Sequence, residues 1–403
     1  MNRTIFSEEQ WAFVARHASE DPTALMLYNK ELSGEALREA VEQIVFRRQL
    51  AAKLPKWVAC GTVYFPSRLS IEQCSSEATA RYKARFAQGA SVIDLTGGLG
   101  VDSYWLAKEA QHLTYCEARV DYCEAARHNY TSLGVVNVTV VEGDSVEWLA
   151  QHGSRFDLLY VDPARRGAGD KRLYSLEDCM PNVVEQAALM RSKADRLLIK
   201  VSPMADLKQL LAQVADVVEV HVVSFRNECK EVLLYVVPER GEASAASEPL
   251  ICCVDLGADG APLYDPFIFR FAEEQAAAVT SCEPRSYLYE PNVAILKGGA
   301  FRLLTTHFGV EALHAHSHLY TSDQLCEAFP GRRFVVEAVY PYNKRARNSL
   351  RTTYPKANIA CRNFPHKPEV LRRELRIAEG GDVYLFATTA ADDRRIVVAC
   401  RKA

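Results

Sequence analysis

The sequence predicts an α/β protein: a doubly wound domain on a largely parallel sheet, with a helical region before it and an α+β portion after it. Three observations carry this. An apolar run, Ser91 to Leu95, leads into three glycines (Gly97, Gly98, Gly100), and a helical pattern begins at about Val101. Three further apolar runs, His112 to Cys116, Asn137 to Val141 and Phe156 to Val161, follow in order, each leading into acidic residues. Strand, glycine turn, helix is the opening of such a domain, and its ligands bind at the carboxyl ends of the strands.

Residues 1–86 read as helical. Ser7 with Gln10 three residues on forms a capping box before an amphipathic run. Helical spacing of apolar residues recurs over Pro22 to Lys30 and Ser33 to Lys53, and again over Ala78 to Phe86. Residues 87–240 form the α/β domain. After the fourth strand, Leu176 to Met190 reads as a helix, Asp195 to Val201 as a fifth strand, and Ala205 to Val214 as a helix. Val217 to Phe225 and Glu231 to Val237 are two more strands, joined across Arg226 to Lys230. Glu239 to Ser247 is small and polar without periodicity, and reads as a linker.

The glycine turn excludes two ligand classes. Counting from Gly98 and Gly100, the sixth place of a dinucleotide fingerprint falls on Ser103, and no Gly-Lys-Ser/Thr follows to form a phosphate loop. Asp94 stands ahead of the glycines instead, and a carboxylate there suits a cationic ligand or an amino group.

The stretch Val92 to Asp102 resembles motif I of the class I S-adenosylmethionine-dependent methyltransferases, and the other strand ends match that family in order and spacing. The resemblance implies a Rossmann-like, seven-stranded domain that binds S-adenosylmethionine. It places Asp94, Thr96, Gly97, Gly98, Gly100 and Asp102 in the cofactor loop, Glu117 on the ribose hydroxyls, and Asp144 with Ser145 near the adenine. The segment before motif I often folds over the methionine end in this family, which makes Gln73, Ser75, Ser76 and Glu77 cofactor candidates. Ser and Glu are also common in an ordinary helix cap, and that reading stays open.

Asp162-Pro163-Ala164-Arg165 resembles motif IV, which faces the transferred methyl. Amino-directed nucleic-acid methyltransferases carry Asp/Asn-Pro-Pro-aromatic there; here the second proline is Ala164 and the aromatic is Arg165. A guanidinium can stack on a base or grip phosphate. Uracil-C5 methyltransferases carry Asp-Pro-Pro-Arg and need a cysteine at the next strand end, where this chain has Lys200-Val-Ser-Pro-Met204. An N or O acceptor is therefore expected, with Asp162, Pro163, Arg165 and Lys200 as catalytic candidates. Lys200 reads equally well as an exposed strand-end cation.

Beyond the linker, residues 248–330 read as a small α+β domain, with a strand over Leu250 to Leu256 and a helix over Pro266 to Ala278. Residues 331–403 give a cleaner α+β pattern: strand, helix over Asn343 to Thr352, strand, helix over Lys367 to Glu374, and a closing hairpin. The order of elements and the charge resemble the ferredoxin-like and THUMP-like modules of RNA-modifying enzymes in a little-characterised bacterial family. Between Arg332 and Arg376 twelve Lys/Arg stand against three Glu, so this stretch carries +9 and the remainder −12 of a net −3. That asymmetry points to a polyanion, with Lys344, Arg345, Arg347, Arg351, Lys356 and Arg362 as RNA contacts and Tyr340, Tyr342, Tyr354 and Phe364 as stacking rings. A solvated helical face with core aromatics is the competing reading.

His314, His316 and His318 alternate and would share one face of a strand. They lack an acidic or cysteine partner nearby, and no metal is expected. The twelve cysteines include no CxxC pair and no long apolar run is present, so a cytoplasmic protein with reduced thiols is expected. The whole predicts a methyltransferase that modifies tRNA or rRNA. Competing readings are a protein or small-molecule methyltransferase, and a non-catalytic cofactor- and RNA-binding protein.

Overall fold

The computed structural model describes residues 5–165, 175–238 and 248–403. The expected linker, Glu239 to Ser247, lies outside them, as do the residues 166–174 that follow Arg165. The chain divides into two compact units, the first built mainly from residues up to 225 with 230–247, the second mainly from 262–403.

The first unit opens with six helices, α1 (Glu8–Arg16), α2 (Pro22–Tyr28), α3 (Gly34–Leu50), α4 (Pro55–Ala59), α5 (Arg68–Gln73) and α6 (Glu77–Ala84). The capping box is formed: Gln10 N donates to Ser7 Oγ at 3.2 Å, and Ser7 N donates to Gln10 Oε1 at 3.0 Å. Phe13, Leu25, Ala40 and Ile44 close a core between α1, α2 and α3. Helix α4 was not expected; Pro55 at its first turn leaves no backbone N–H to be lost there.

The strands of this unit are β1 (Ser91–Asp94), β2 (His112–Glu117), β3 (Val138–Glu142), β4 (Phe156–Val161), β5 (Ala164–Arg165), β6 (Cys179–Met180), β7 (Ala194–Val201), β8 (Val217–Phe225) and β9 (Glu228–Val236), with β5 and β6 forming a separate pair. Seven of these lie in the order β8-β9-β7-β4-β1-β2-β3. Strands β3, β2, β1, β4 and β7 are parallel, and β9 is antiparallel to β7. Helices α7 (Val101–Glu109), α8 (Val120–Ser132), α9 (Ser145–Gln151), α10 (Ala187–Lys193) and α11 (Leu207–Gln213) make the connections. The turn between β8 and β9 is only Arg226-Asn227, both at positive φ, a geometry that matches strand twist in a tight hairpin.

The helix expected over Leu176 to Met190 is not continuous. A short 3-10 turn gives way to β6, which pairs with β5, and α10 begins only at Ala187. Pro181 cannot donate a helical hydrogen bond, which ends any helix through that point.

In the second unit, β10 (Leu250–Leu256) and β11 (Phe267–Phe269) form an antiparallel pair, followed by α12 (Phe271–Ala276). The helix expected over Pro266 to Ala278 thus begins late. In Phe267-Ile-Phe269 the phenylalanines are buried and Ile268 is exposed, the alternation of a strand. Strands β12 (Tyr287–Pro291), β13 (Glu311–Ala312), β14 (Tyr320–Ser322), β15 (Gly331–Pro341), β16 (Lys356–Cys361), β17 (Ala378–Thr389) and β18 (Arg395–Lys402) form one sheet, in the order β13-β14-β12-β15-β18-β17-β16. Helices α13 (Val293–Gly298), α14 (Leu303–Phe308), α15 (Lys344–Thr353) and α16 (Pro368–Leu375) complete the unit. No helix among the described residues is long and apolar enough to cross a membrane.

Candidate active site

A cleft of about 790 Å³ opens at the carboxyl ends of β1, β2, β3, β4 and β7, all within the first unit. Its wall begins at the glycine turn. Asp94, at the end of β1, turns inward: Oδ1 accepts from Thr96 N at 2.8 Å and Thr96 Oγ1 at 3.2 Å, and Oδ2 accepts from Ser103 Oγ. Burial pushes its carboxyl up to about 7. Asp94 therefore holds the turn in shape from below, rather than presenting two free oxygens to a ligand. Thr96 Oγ1 also accepts from Asp162 N at 2.7 Å, which locks the first strand end to the fourth.

The glycines serve the fold as well as the cleft. A Cβ on Gly97 would stand 2.2 Å from the Tyr115 ring, and one on Gly100, at φ +86°, 2.5 Å from the Tyr130 hydroxyl. Gly98, at φ +56°, would meet nothing closer than Thr96 O at 3.8 Å. Gly98 is the glycine that leaves the cleft wall open.

Glu117, at the end of β2, accepts from Gly98 N at 2.9 Å through Oε2 and from Arg119 N at 2.8 Å through Oε1. Asp144 Oδ1 caps α9, accepting from Val146 N and Glu147 N, and Asp144 and Ser145 both border the cleft. Gln73 and Ser75, with Cys74 between them, border it from the amino-terminal side. Glu77 does not: its carboxylate accepts from Lys56 N and Trp57 N and stays buried beneath α4. Ser76 caps α6, donating no group to the cleft wall.

The cleft floor is a chain of ion pairs. Lys200 Nζ lies 2.6 Å from Asp162 Oδ2 and 3.7 Å from Asp102 Oδ2. Asp102 Oδ2 also accepts from Ser75 Oγ and Tyr160 Oη, both at 2.7 Å. Asp102 Oδ1 faces Lys83 Nζ at 3.2 Å, and Lys83 in turn lies 2.6 Å from Glu231 Oε1. Ser75 Oγ accepts from both lysines, at 3.3 Å from Lys83 and 3.1 Å from Lys200. Burial alone would raise Asp102, but the ammonium groups of Lys83 and Lys200 outweigh it and hold the carboxyl at about 2. Burial alone would lower Lys200, but Asp162, Asp102 and Glu231 hold it far above the usual lysine range. It is not the exposed strand-end cation of the alternative reading: its side chain is only 13 % exposed.

Sequence reasoning misses Lys83, Glu231 and Tyr160. Lys83 sits in Ala78 to Ala84, where a lysine looks like the wet face of a helix, yet it is fully buried. The available signal was Glu231, an acid heading the apolar run Val232 to Val236. Pro163 is buried beside Asp162, and the Arg165 side chain lies outside what the structure describes.

In the second unit the basic residues divide. Lys344, Arg345 and Arg351 are exposed on α15, and Lys356 on β16, with no ion-pair partner among the described residues. Arg347 approaches Glu374 at 3.7 Å, over the Tyr342 ring. Arg362 departs from the expected surface role. It lies 2.8 Å from Glu290, a buried acid that Arg332 also pairs with, so it neutralises an internal charge. Tyr354 is buried against Tyr340, and Tyr342 donates to Glu374, so these rings belong to or flank the core around Leu350, Leu371 and Val397 rather than forming a stacking row. His314, His316 and His318 lie in the turn between β13 and β14, not on a strand; His314 pairs with Asp393 and His318 stacks on Phe301.

Residues 287–330 match a ferredoxin-like domain family and residues 331–402 a THUMP-like domain family. A crystal structure from Porphyromonas gingivalis W83, described as that of a candidate methyltransferase, is 35 % identical over 100 % of both chains, with a TM-score of 0.89. An uncharacterised RNA methyltransferase of Mycoplasma mobile is 36 % identical over 77 residues, 19 % of this chain and 21 % of that protein. One from Halalkalibacterium halodurans is 31 % identical over 97 residues, 23 % of this chain and 21 % of that protein. The chain thus spans about a fifth of the length of these curated relatives.

Proposed function

Because the chain belongs to one family with the Porphyromonas gingivalis protein, we propose that it is an S-adenosylmethionine-dependent methyltransferase acting on RNA, tRNA or rRNA. The observation that carries this reading is the cleft itself. Glu117, Asp144 and Asp162 come from three strand ends to one cavity, above the turn that Asp94 holds in shape, and Lys200 is locked to Asp162 at its floor. A cleft so rich in carboxylates suits a cationic cofactor and repels a pyrophosphate.

The residues fit the cofactor. Glu117 would hold the ribose hydroxyls and Asp144 with Ser145 the adenine. The turn at Gly98 would give backbone access, and Gln73 with Ser75 would face the methionine end. When bound, the cofactor supplies a methyl group activated on a sulfonium. The chain's own part is to orient the acceptor in line and to exclude water; Asp162 and Pro163 stand where that acceptor would be held. The RNA assignment draws on the curated relatives' names, on the THUMP-like match and on the exposed cations Lys344, Arg345, Arg351 and Lys356. The twelve cysteines include no CxxC pair, and we place the protein in the cytoplasm.

Calorimetric titration tests the cofactor half directly. S-adenosylmethionine should bind at one site per chain, NAD should not bind, and Glu117→Ala should weaken binding roughly tenfold or more, as loss of a charged hydrogen bond does. NAD binding, or an unchanged affinity in the variant, would contradict the assignment.

A further inference from the structure

We infer that the acceptor is a hydroxyl oxygen, the ribose 2′-hydroxyl of the RNA, and that Lys200 and Asp162 receive it; this rests on the methyltransferase reading above. Two features of the cleft point to oxygen rather than nitrogen, and the hydroxyl that RNA offers is the ribose 2′-hydroxyl.

The first is the fixed cation. Lys200 Nζ stands 2.6 Å from Asp162 Oδ2 at the carboxyl ends of β4 and β7, where the acceptor must sit. It is held in place by Ser75 and by Asp102 behind it. An amine that attacks a sulfonium methyl gains positive charge as the bond forms, and an adjacent ammonium opposes that. A hydroxyl oxygen gains negative charge as its proton departs, and the same ammonium stabilises it.

The second is the free half of Asp162. Its Oδ2 is taken by Lys200, and its Oδ1 has no partner among the described residues. The carboxylate, 36 % exposed, can thus accept a hydroxyl proton and pass it to solvent. In the step, the O–C bond forms as the C–S bond breaks, its electron pair staying on a now neutral sulfur. The hydroxyl proton goes to Asp162 Oδ1, and Lys200 keeps its charge throughout.

Lys83 and Glu231 act through this pair as positioning residues: fully buried, they fix Asp102, which in turn fixes Lys200.

The test is product identity. The full-length chain is incubated with labelled S-adenosylmethionine and total RNA from cells lacking the protein, and the RNA is digested to nucleosides. The expected product is a 2′-O-methylnucleoside, recovered from alkali as a resistant dinucleotide. Label in a base-methylated nucleoside would overturn the oxygen acceptor while leaving the methyltransferase reading intact; no label in RNA would overturn both. Lys200→Met should lower the rate about 10²–10³-fold, the cost of removing one group that stabilises developing charge. Its cofactor affinity by calorimetry should be no weaker. Lys200→Arg, which keeps the cation, should recover part of the rate and covers the case that the methionine variant does not fold. A full rate with methionine at this position, or no advantage of arginine over methionine, would overturn the assignment.

Discussion

Asp94 is wholly buried beneath the glycine turn, and loss of water pushes its carboxyl up to about 7. A carboxyl raised in the folded state favours folding while protonated, and that contribution is lost as pH rises through about 7. Asp94→Asn cannot ionise. The difference in thermal midpoint between variant and parent should therefore move in the variant's favour from pH 6 to pH 8.5; a difference that does not move would contradict this. Lys83 presents the opposite case, a cation that neutralises two buried acids, Asp102 and Glu231. Lys83→Met should cost about 3–5 kcal/mol in denaturant unfolding, as breaking a buried pair from one side does, and adding Glu231→Leu should return much of it. An equal loss in single and double variants would show that the pair is not the cause. At this scale the strand-end acids were legible because each ends an apolar run. The Lys83–Glu231 pair was not, because the partners are 148 residues apart in sequence and each is a surface type by composition. Arg362 misled for the same reason: nothing local marks that it meets a buried glutamate.

Helix α15 carries Lys344, Arg345 and Arg347 in its first turn and a half, with no acid there. Cations at a helix amino end oppose the helix dipole, costing about 0.3–1 kcal/mol each. Asn343 caps the helix, accepting from Ala346 N at 2.9 Å, and Ala346 and Leu350 anchor its inner face. A surface that keeps its cations against the dipole suits a polyanion. Lys344→Glu with Arg345→Glu and Arg351→Glu should weaken RNA binding and flatten its dependence on salt, by roughly one log unit of slope for each phosphate no longer neutralised. An unchanged slope would remove this helix from the interface. The parallel strands of the first unit were legible because each is a largely apolar run in the sequence. The stretches misread as helix, Leu176 to Met190 and Pro266 to Ala278, were short and mixed. A proline and a three-residue alternation decided them, signals that a longer periodic window averages away.

Taken whole, the chain has a first unit with a parallel-core sheet, whose cleft gathers carboxylates around a locked Lys200–Asp162 pair, and a second unit with an exposed basic helix. The order of these parts was legible in the sequence, since strand ends, glycine turn and charge asymmetry are each local. The ion-pair floor of the cleft was not, since it exists only once α6, β4, β7 and β9 are packed together. The central claim is that this cleft moves a methyl group onto RNA. The most direct test is to supply labelled S-adenosylmethionine with total RNA and total protein from cells lacking the chain, using Asp162→Ala as the control. The account predicts label in the RNA fraction with the intact protein and a loss of at least about 100-fold in the variant. Label in the protein fraction alone, or in neither fraction despite cofactor binding, would contradict it.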